Sequence, residues 1–230
     1  MVLSIIIPVY NEKNTIPEIL KRIEQVSLNE FSFKKEIIVI DDGSTDSTKD
    51  ILKGLEDKYK IIYHPKNKGK GAAIRTGLQY ASGDYVIIQD ADLEYDPQDY
   101  KQIIECALKN NAQVVYGSRR LNPKNKPRYV SYYLGGIFLN WATGMISGTK
   151  ISDESTCYKL FKTELIKSIP LKCDRFEFCP EITAKIIKRK IKIFEVPISY
   201  HPRSREEGKK IKWRDGLKTL WALIKYKFFD

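Results

Sequence analysis

Residues 83–97 read Gly-Asp-Tyr-Val-Ile-Ile-Gln-Asp-Ala-Asp-Leu-Glu-Tyr-Asp-Pro, and their reading decides the fold. Residues 85–89 are an apolar, β-branched run of strand length that ends abruptly in two carboxylates, Asp90 and Asp92, separated by Ala91. Carboxylates at the C-terminal lip of a core strand repel each other beside a low-dielectric interior, so they call for a cation or strong donors. A hard divalent ion, Mg²⁺ or Mn²⁺, itself holding a diphosphate, would satisfy both. The alternative is that the pair caps the next helix, although Asp96 with Pro97 at the first helical position is the nearer cap.

Upstream, a core strand twice runs into polar or acidic residues. Residues 3–7 break at Pro8-Val-Tyr-Asn-Glu12 before a helix capped near Asn14 or Thr15, and residues 36–40 stop at Asp41-Asp-Gly-Ser-Thr-Asp46. A helix to about residue 58, a strand at 61–63 and a basic, glycine-rich opening of a third helix, Asn67-Lys-Gly-Lys-Gly-Ala-Ala-Ile-Arg-Thr-Gly77, complete the approach to the central stretch. Beyond it come a helix at 97–109 and a strand at 113–116 running into Gly117-Ser-Arg-Arg120. This alternation predicts an α/β, Rossmann-like, doubly wound and largely parallel sheet flanked by helices. Ligands of such sheets collect outside the strand C-termini, so Asp41, Asp42, Asp90, Asp92 and Arg119 should share one rim.

The texture changes after residue 120. A basic loop ends at Arg128, and 21 uncharged residues, 129–149, follow; their Asn, Ser, Thr and Gly content argues for a buried or interfacial helix over a spanning one. A strand is expected after 151–161, a helix at 178–190, extended chain at 191–200 and a charged loop at 201–212. The last segment is an amphipathic helix with Trp213, Leu217, Leu220, Trp221, Ile224 and Phe228 on one face, suited either to docking on the body or to a membrane interface.

Lysine and arginine (40) outnumber aspartate and glutamate (29), and the resulting +11 favours anionic partners: phosphates, nucleic acid or an acidic membrane surface. Nucleic acid is set aside, because the acidic rim leaves no interleaved aromatic-basic surface and no helix-turn-helix, RRM or KH signature is present. The four cysteines have neither zinc-like nor C-x-x-C spacing and read as reduced thiols of a cytoplasmic protein; no export signal is seen at the N-terminus. Residues 67–77 are not a dinucleotide fingerprint, since Ile74 stands where the last glycine belongs, nor a P-loop.

Taken together, Pro8-Val-Tyr-Asn-Glu12, Asp41-Asp-Gly-Ser44, Lys70-Gly-Ala-Ala with Arg75 and Gly77, Asp90-Ala-Asp92 and Gly117-Ser-Arg119 resemble, in order and spacing, the family 2 glycosyltransferases of the GT-A fold. Within that family the chain looks like the dolichyl- and polyprenyl-phosphate mannose and glucose synthases. The resemblance implies one GT-A domain over 1–230, with a nucleotide-sugar half at 1–120 and an acceptor half at 121–230 that ends in the amphipathic helix 213–229. It implies that Pro8, Tyr10, Glu12, Asp41 and Asp42 hold base and ribose, and that Lys70, with Arg75, faces the diphosphate. By the same resemblance Asp90 and Ala91 lie near the donor sugar, Asp92 ligates Mg²⁺ or Mn²⁺ with Glu94 close by, and Asp153 is a candidate catalytic aspartate. Arg119, Arg128, Arg203 and Lys209 would hold the acceptor phosphate.

The implied activity is inverting transfer of mannose or glucose from GDP-mannose or UDP-glucose to a polyprenyl phosphate, by a peripheral protein on the cytoplasmic face of an anionic membrane. The sequence departs from the family at Asp153-Glu-Ser-Thr-Cys-Tyr-Lys159, where Cys157 stands for glycine and Tyr158-Lys159 for Phe-Arg. The C-terminal spans of typical membrane synthases have no counterpart here, which keeps a glycan or protein hydroxyl open as acceptor. A non-catalytic nucleotide-sugar binder is a further alternative.

Overall fold

The computed structural model describes residues 1–126, 135–137, 140–141, 143–145, 148–203 and 213–229, the side chains of 213–220 excepted. Its strands are β1 (Val2–Val9), β2 (Lys34–Asp41), β3 (Lys60–Tyr63), β4 (Tyr85–Ile88), β5 (Val114–Ser118), β6 (Lys159–Lys162) and β7 (Ile193–Pro197). They form one sheet in the order β3-β2-β1-β4-β6-β5-β7. The expected parallel sheet is present, with one exception among the described strands: β6 runs antiparallel between β4 and β5. β5 ends at the C-terminal rim and β6 enters from that same rim, so the connection between them must return on that side. Asp153 is thereby brought to the same edge as Asp90.

The helices are α1 (Ile16–Gln25), α2 (Thr48–Lys53), α3 (Lys70–Tyr80), α4 (Tyr100–Lys109), α5 (Thr163–Ser168), α6 (Phe178–Lys188) and α7 (Trp213–Phe228). The period-3.6 spacing of apolar residues decides which face each buries: Ile16, Ile19, Leu20 and Ile23 in α1, and Tyr100, Ile103, Ile104 and Ala107 in α4. β1 is covered on both faces, which is why it reads as a continuous apolar run instead of alternating. Helix α2 ends at Lys53, short of residue 58, where Gly54 closes it; α5 has no counterpart in the sequence reading. Asp96 is the cap before α4, its carboxylate accepting from the Gln98 N–H at 3.0 Å, which releases Asp90 and Asp92 from any capping role.

Helix α7 departs from its expected face. It docks through Ala222, Leu223 and Tyr226 against Ala184 of α6, with the Lys185 ammonium 4.5 Å from the Tyr226 ring centroid. Trp221 and Phe228, placed by periodicity on the apolar face, are 63% and 61% exposed. Periodicity finds a stripe but not its partner, and here small Ala222 and the Tyr226 ring fit α6 better than bulky Trp221. The side chains of Trp213, Leu217 and Leu220 lie outside the described residues, as do most of 129–149. Among the described residues no helix is long and apolar enough to cross a membrane.

Helix α3 packs on β1 and β2 through Gly77, where a Cβ would stand 2.6 Å from Ile6 Cγ2 and 2.9 Å from Ile40 Cδ1. Those two isoleucines are fully buried and cannot move aside cheaply. Gly77→Val is expected to lower unfolding free energy by about 1–3 kcal/mol, read by urea denaturation at constant m.

Candidate active site

β4 lies on one side of β1 while β2 and β3 lie on the other, so the chain order reverses between β1 and β4 and a crevice opens at their C-termini. Four segments meet there: the turn 8–12 after β1, the turn 41–46 at the end of β2, the start of α3 and the acidic turn 89–95. The core supports that turn from below. Buried Gln89 accepts from the hydroxyls of Tyr100 at 2.5 Å and Tyr158 at 2.7 Å, and Cys157 N–H donates to the Tyr95 hydroxyl at 3.1 Å.

Lys70, the first residue of α3, places its ammonium 2.5 Å from Asp90 Oδ1. Burial works to raise the Asp90 carboxyl, but the Lys70 charge overcomes it and holds the group below its usual value. Asp92 is different. Burial first, then the charges of Asp90 and Glu94, push it up to about 7 against the opposing pull of Arg203. The Arg203 guanidinium, arriving from beyond β7, lies 3.1 Å from Asp92 Oδ2 and 3.2 Å from Glu12 Oε2, and so ties the turn after β1 to the turn after β4. Its Nε–H is buried and has no partner among the described residues.

Glu94 was expected to approach the metal. Instead its two oxygens accept from the Tyr200 hydroxyl at 3.0 Å and from Arg203 N–H at 2.8 Å, because the extended segment 200–203 crosses directly over it. Arg75 was expected at the diphosphate. Its guanidinium donates to the Cys173 carbonyl and the Asp174 carboxylate, the segment that packs against Gly69 and Gly71 at the start of α3. Asp42 was expected at the nucleoside; it is buried, and its oxygens accept from His64 Nδ1–H and from the N–H groups of Lys68 and Gly69. Asp41 is likewise buried, with Oδ1 accepting from Ser44 N–H at 3.2 Å. Pro8, Tyr10 and Glu12 lie in the segment 8–12 and Ala91 in the turn 89–95.

After β5, Arg119 grips Asp153 with Nε and Nη2, both at 2.7 Å, while its backbone N–H donates to the same carboxylate at 2.9 Å. Burial would raise Asp153; the Arg119 guanidinium overrides it and keeps the carboxyl low. The Arg119 guanidinium carbon also stands 5.0 Å from the Tyr200 ring centroid, so Tyr200 touches both halves of the site. Arg128 and Lys209 lie outside the described residues.

Three residues of this site escaped the sequence reading: His64, Tyr200 and Glu195. Glu195 was the most accessible of them, as a lone carboxylate in the apolar strand β7; it accepts from Ser152 N–H at 2.9 Å and from the Ser152 hydroxyl at 2.8 Å and so fixes the approach to Asp153.

The Asp90-Ala91-Asp92 pair supplies hard oxygen donors, and Asp92 is raised first by burial and then by the charges of Asp90 and Glu94. The donor chemistry therefore fits a divalent cation, with Asp92 as first ligand and Asp90 beside it. Among the described residues no three His, Cys, Asp or Glu side chains are already gathered as a metal site, because Lys70, Arg203 and Tyr200 each draw one carboxylate aside.

Comparison with known proteins agrees with this geometry. The profile of Glycosyl transferase family 2 matches residues 4–169. A dolichol-phosphate mannosyltransferase of Pyrococcus furiosus is 32% identical over 91% of this chain, which spans 59% of that protein's length. A UDP-N-acetylglucosamine–dolichyl-phosphate N-acetylglucosaminyltransferase of Methanococcus voltae is 30% identical over 97% of this chain and 95% of its own length. Among solved structures, the fold is shared with glucosyl-3-phosphoglycerate synthase from Mycobacterium tuberculosis in complex with Mn²⁺, uridine diphosphate and phosphoglyceric acid, at a TM-score of 0.73 and 18% identity over 100% of this chain and 79% of that one. With its family profile matching residues 4–169, which include the strands β4, β5 and β6 and the acidic turn, the chain belongs to the family 2 glycosyltransferases.

Proposed function

We propose that the protein transfers a hexose from a nucleoside diphosphate sugar to a polyprenyl phosphate, with inversion at the anomeric carbon, at the cytoplasmic face of a membrane. The observation that carries this reading is the meeting, at one crevice, of an acidic turn backed by Lys70 with a second cationic edge made by Arg119 and Arg203. One edge suits a metal-bound diphosphate and the other an anionic acceptor. The names of the Pyrococcus and Methanococcus relatives, both dolichyl-phosphate enzymes, support a lipid phosphate acceptor.

In this reading Glu12 and Tyr10 meet the nucleoside, Lys70 neutralises the departing diphosphate, and Asp90 orients both Lys70 and the sugar. Asp92, assisted by Asp90, would hold Mg²⁺ or Mn²⁺, which when bound supplies Lewis-acid charge for the leaving group. Asp153 is a positioning residue for Arg119. A carboxylate held low by a bidentate guanidinium is a poor proton acceptor, which disfavours a hydroxyl acceptor that must be deprotonated as it attacks. A phosphate needs no such base.

The outward face of α7 supports the membrane part of the proposal. Trp221, Phe228 and Phe229 are exposed beside Lys225, a pairing of aromatic rings and cations suited to an anionic lipid surface.

Three outcomes are expected. In assays with GDP-mannose or UDP-glucose and a polyprenyl phosphate, Asp92→Ala lowers kcat/KM by about 100-fold or more, whereas Asp153→Asn acts mainly by raising the acceptor KM; unchanged turnover in both variants would remove the assigned roles. Second, Mn²⁺ affinity measured by calorimetry tightens from about pH 6 to 8, because ionised Asp92 rises from about a tenth to nine-tenths across a pKa near 7. The sign for stability is opposite: the metal-free fold holds this proton more tightly than the unfolded chain, so Asp92 costs stability as pH rises from about 4 to 7. Arg203→Ala, by vacating Asp92, is expected to bind Mn²⁺ more tightly at pH 7 while slowing turnover. Third, the full chain floats with anionic liposomes, and Trp221→Ala with Phe228→Ala reduces the bound fraction several-fold without moving Tm.

A further inference from the structure

Asp42 stands at the end of β2 yet accepts all of its described hydrogen bonds from the segment that leads into α3. Its Oδ1 accepts from Lys68 N–H at 2.9 Å and its Oδ2 from Gly69 N–H at 2.7 Å. The remaining donor is His64, from the residue that follows β3: its Nδ1–H donates to Asp42 Oδ1 at 2.7 Å, and its Nε2 faces the Thr76 hydroxyl of α3 at 2.9 Å. A carboxylate oxygen accepts, so His64 Nδ1 carries the hydrogen directed at Asp42, while Nε2 faces the Thr76 hydroxyl. The His64 side chain is buried, and the residue's backbone N–H donates to the Asp41 carbonyl at 2.8 Å.

The two amides held by Asp42 immediately precede Lys70. Gly69 adopts φ +104°, where a side chain would be strained, and a Cβ there would meet the Asp174 carbonyl at 2.4 Å. Its peptide is therefore seated from one side by residues 174–175 and from the other by Asp42. A relay follows from these contacts: β3 end, His64, Asp42, the 68–69 amides, Lys70, and finally Asp90 at the end of β4.

We infer that His64 is a positioning residue for the diphosphate half of the donor, acting through Asp42 to set the Lys68–Lys70 backbone and thus the Lys70 ammonium. This rests on the proposed function for the identity of the ligand, but the relay itself belongs to the protein alone. It also separates Asp42 from nucleoside recognition. A base- or ribose-binding Asp42 would alter nucleoside affinity, whereas a loop-holding Asp42 alters only what the diphosphate adds.

The test uses the full chain and three variants. His64→Phe keeps a planar ring without donors, His64→Asn retains a donor toward Asp42, and Asp42→Asn removes the charge. Amide hydrogen exchange at Lys68 and Gly69, measured without ligand, is expected to accelerate at least tenfold in His64→Phe and Asp42→Asn and to return toward the parent rate in His64→Asn. With Mn²⁺ present, UDP or GDP affinity falls about tenfold in the first two variants, while uridine or guanosine affinity, read by NMR shifts, is unchanged. The donor KM rises more than kcat falls.

Unchanged exchange at residues 68 and 69 in His64→Phe overturns the relay. Parallel loss of nucleoside and nucleoside diphosphate affinity overturns the assignment to the diphosphate. If the parent protein binds neither UDP nor GDP, the proposed function fails, and the exchange rates still decide whether His64 sets the loop.

Discussion

Negative charge crowded into one short turn is the constraint on which the rest of this structure depends. Asp90, Asp92 and Glu94 follow β4 within five residues, and at the C-terminal lip of a buried strand their mutual repulsion is not dissipated by water. They are answered from two other parts of the chain: Lys70 at the start of α3 for Asp90, and the segment 200–203 beyond β7, whose Arg203 guanidinium faces Asp92 while the Tyr200 hydroxyl and the Arg203 amide serve Glu94. Compensation of one turn thus pulls two distant segments over the crevice. Removing any partner would leave a partly buried charge uncompensated, which is the costly way to break such a pair.

The edge at the end of β5 follows the same logic. Arg119 and Asp153 satisfy one another, Glu195 fixes the Ser152 turn, and Lys159, fully buried, donates to the carbonyls of Glu154 and Thr156 while lying 4.8 Å from the Tyr116 ring centroid. This explains how the chain departs from its family at Cys157-Tyr158-Lys159 without losing the local architecture: Lys159 ties down the backbone of residues 154–156, and the Tyr158 hydroxyl supports Gln89 under the acidic turn. The two edges differ: burial and neighbouring charges raise Asp92, whereas the Arg119 guanidinium holds Asp153 low.

Much of this was legible along the chain, and for particular reasons. The strands betray themselves as apolar runs because a doubly covered sheet buries both faces, and each run stops where the chain reaches the rim. Asp90, Asp92, Lys70 and Arg119 could be named in advance because charged residues at the ends of core strands or at a glycine-rich helix start have few structural excuses. Roles were harder to read than positions. Arg75, Glu94, Asp42 and Asp153 carry suitable chemistry, yet each is engaged by a neighbour far away in sequence: the 173–174 segment, Tyr200, His64 and Arg119. The antiparallel entry of β6 and the docking face of α7 were likewise set by partners that no local pattern identifies.

The sequence by itself determined the α/β alternation, the placement of acidic turns at strand ends and the family to which the chain belongs, because periodicity, turn chemistry and motif spacing are local properties. Only the tertiary structure decided which cation faces which carboxylate, that Arg203 spans Glu12 and Asp92, and that His64 stands behind Asp42. Those outcomes depend on distances between strand ends, set by a strand order that packing fixes, and they bring Arg203 to Glu12 and Asp92, 191 and 111 positions away in the chain.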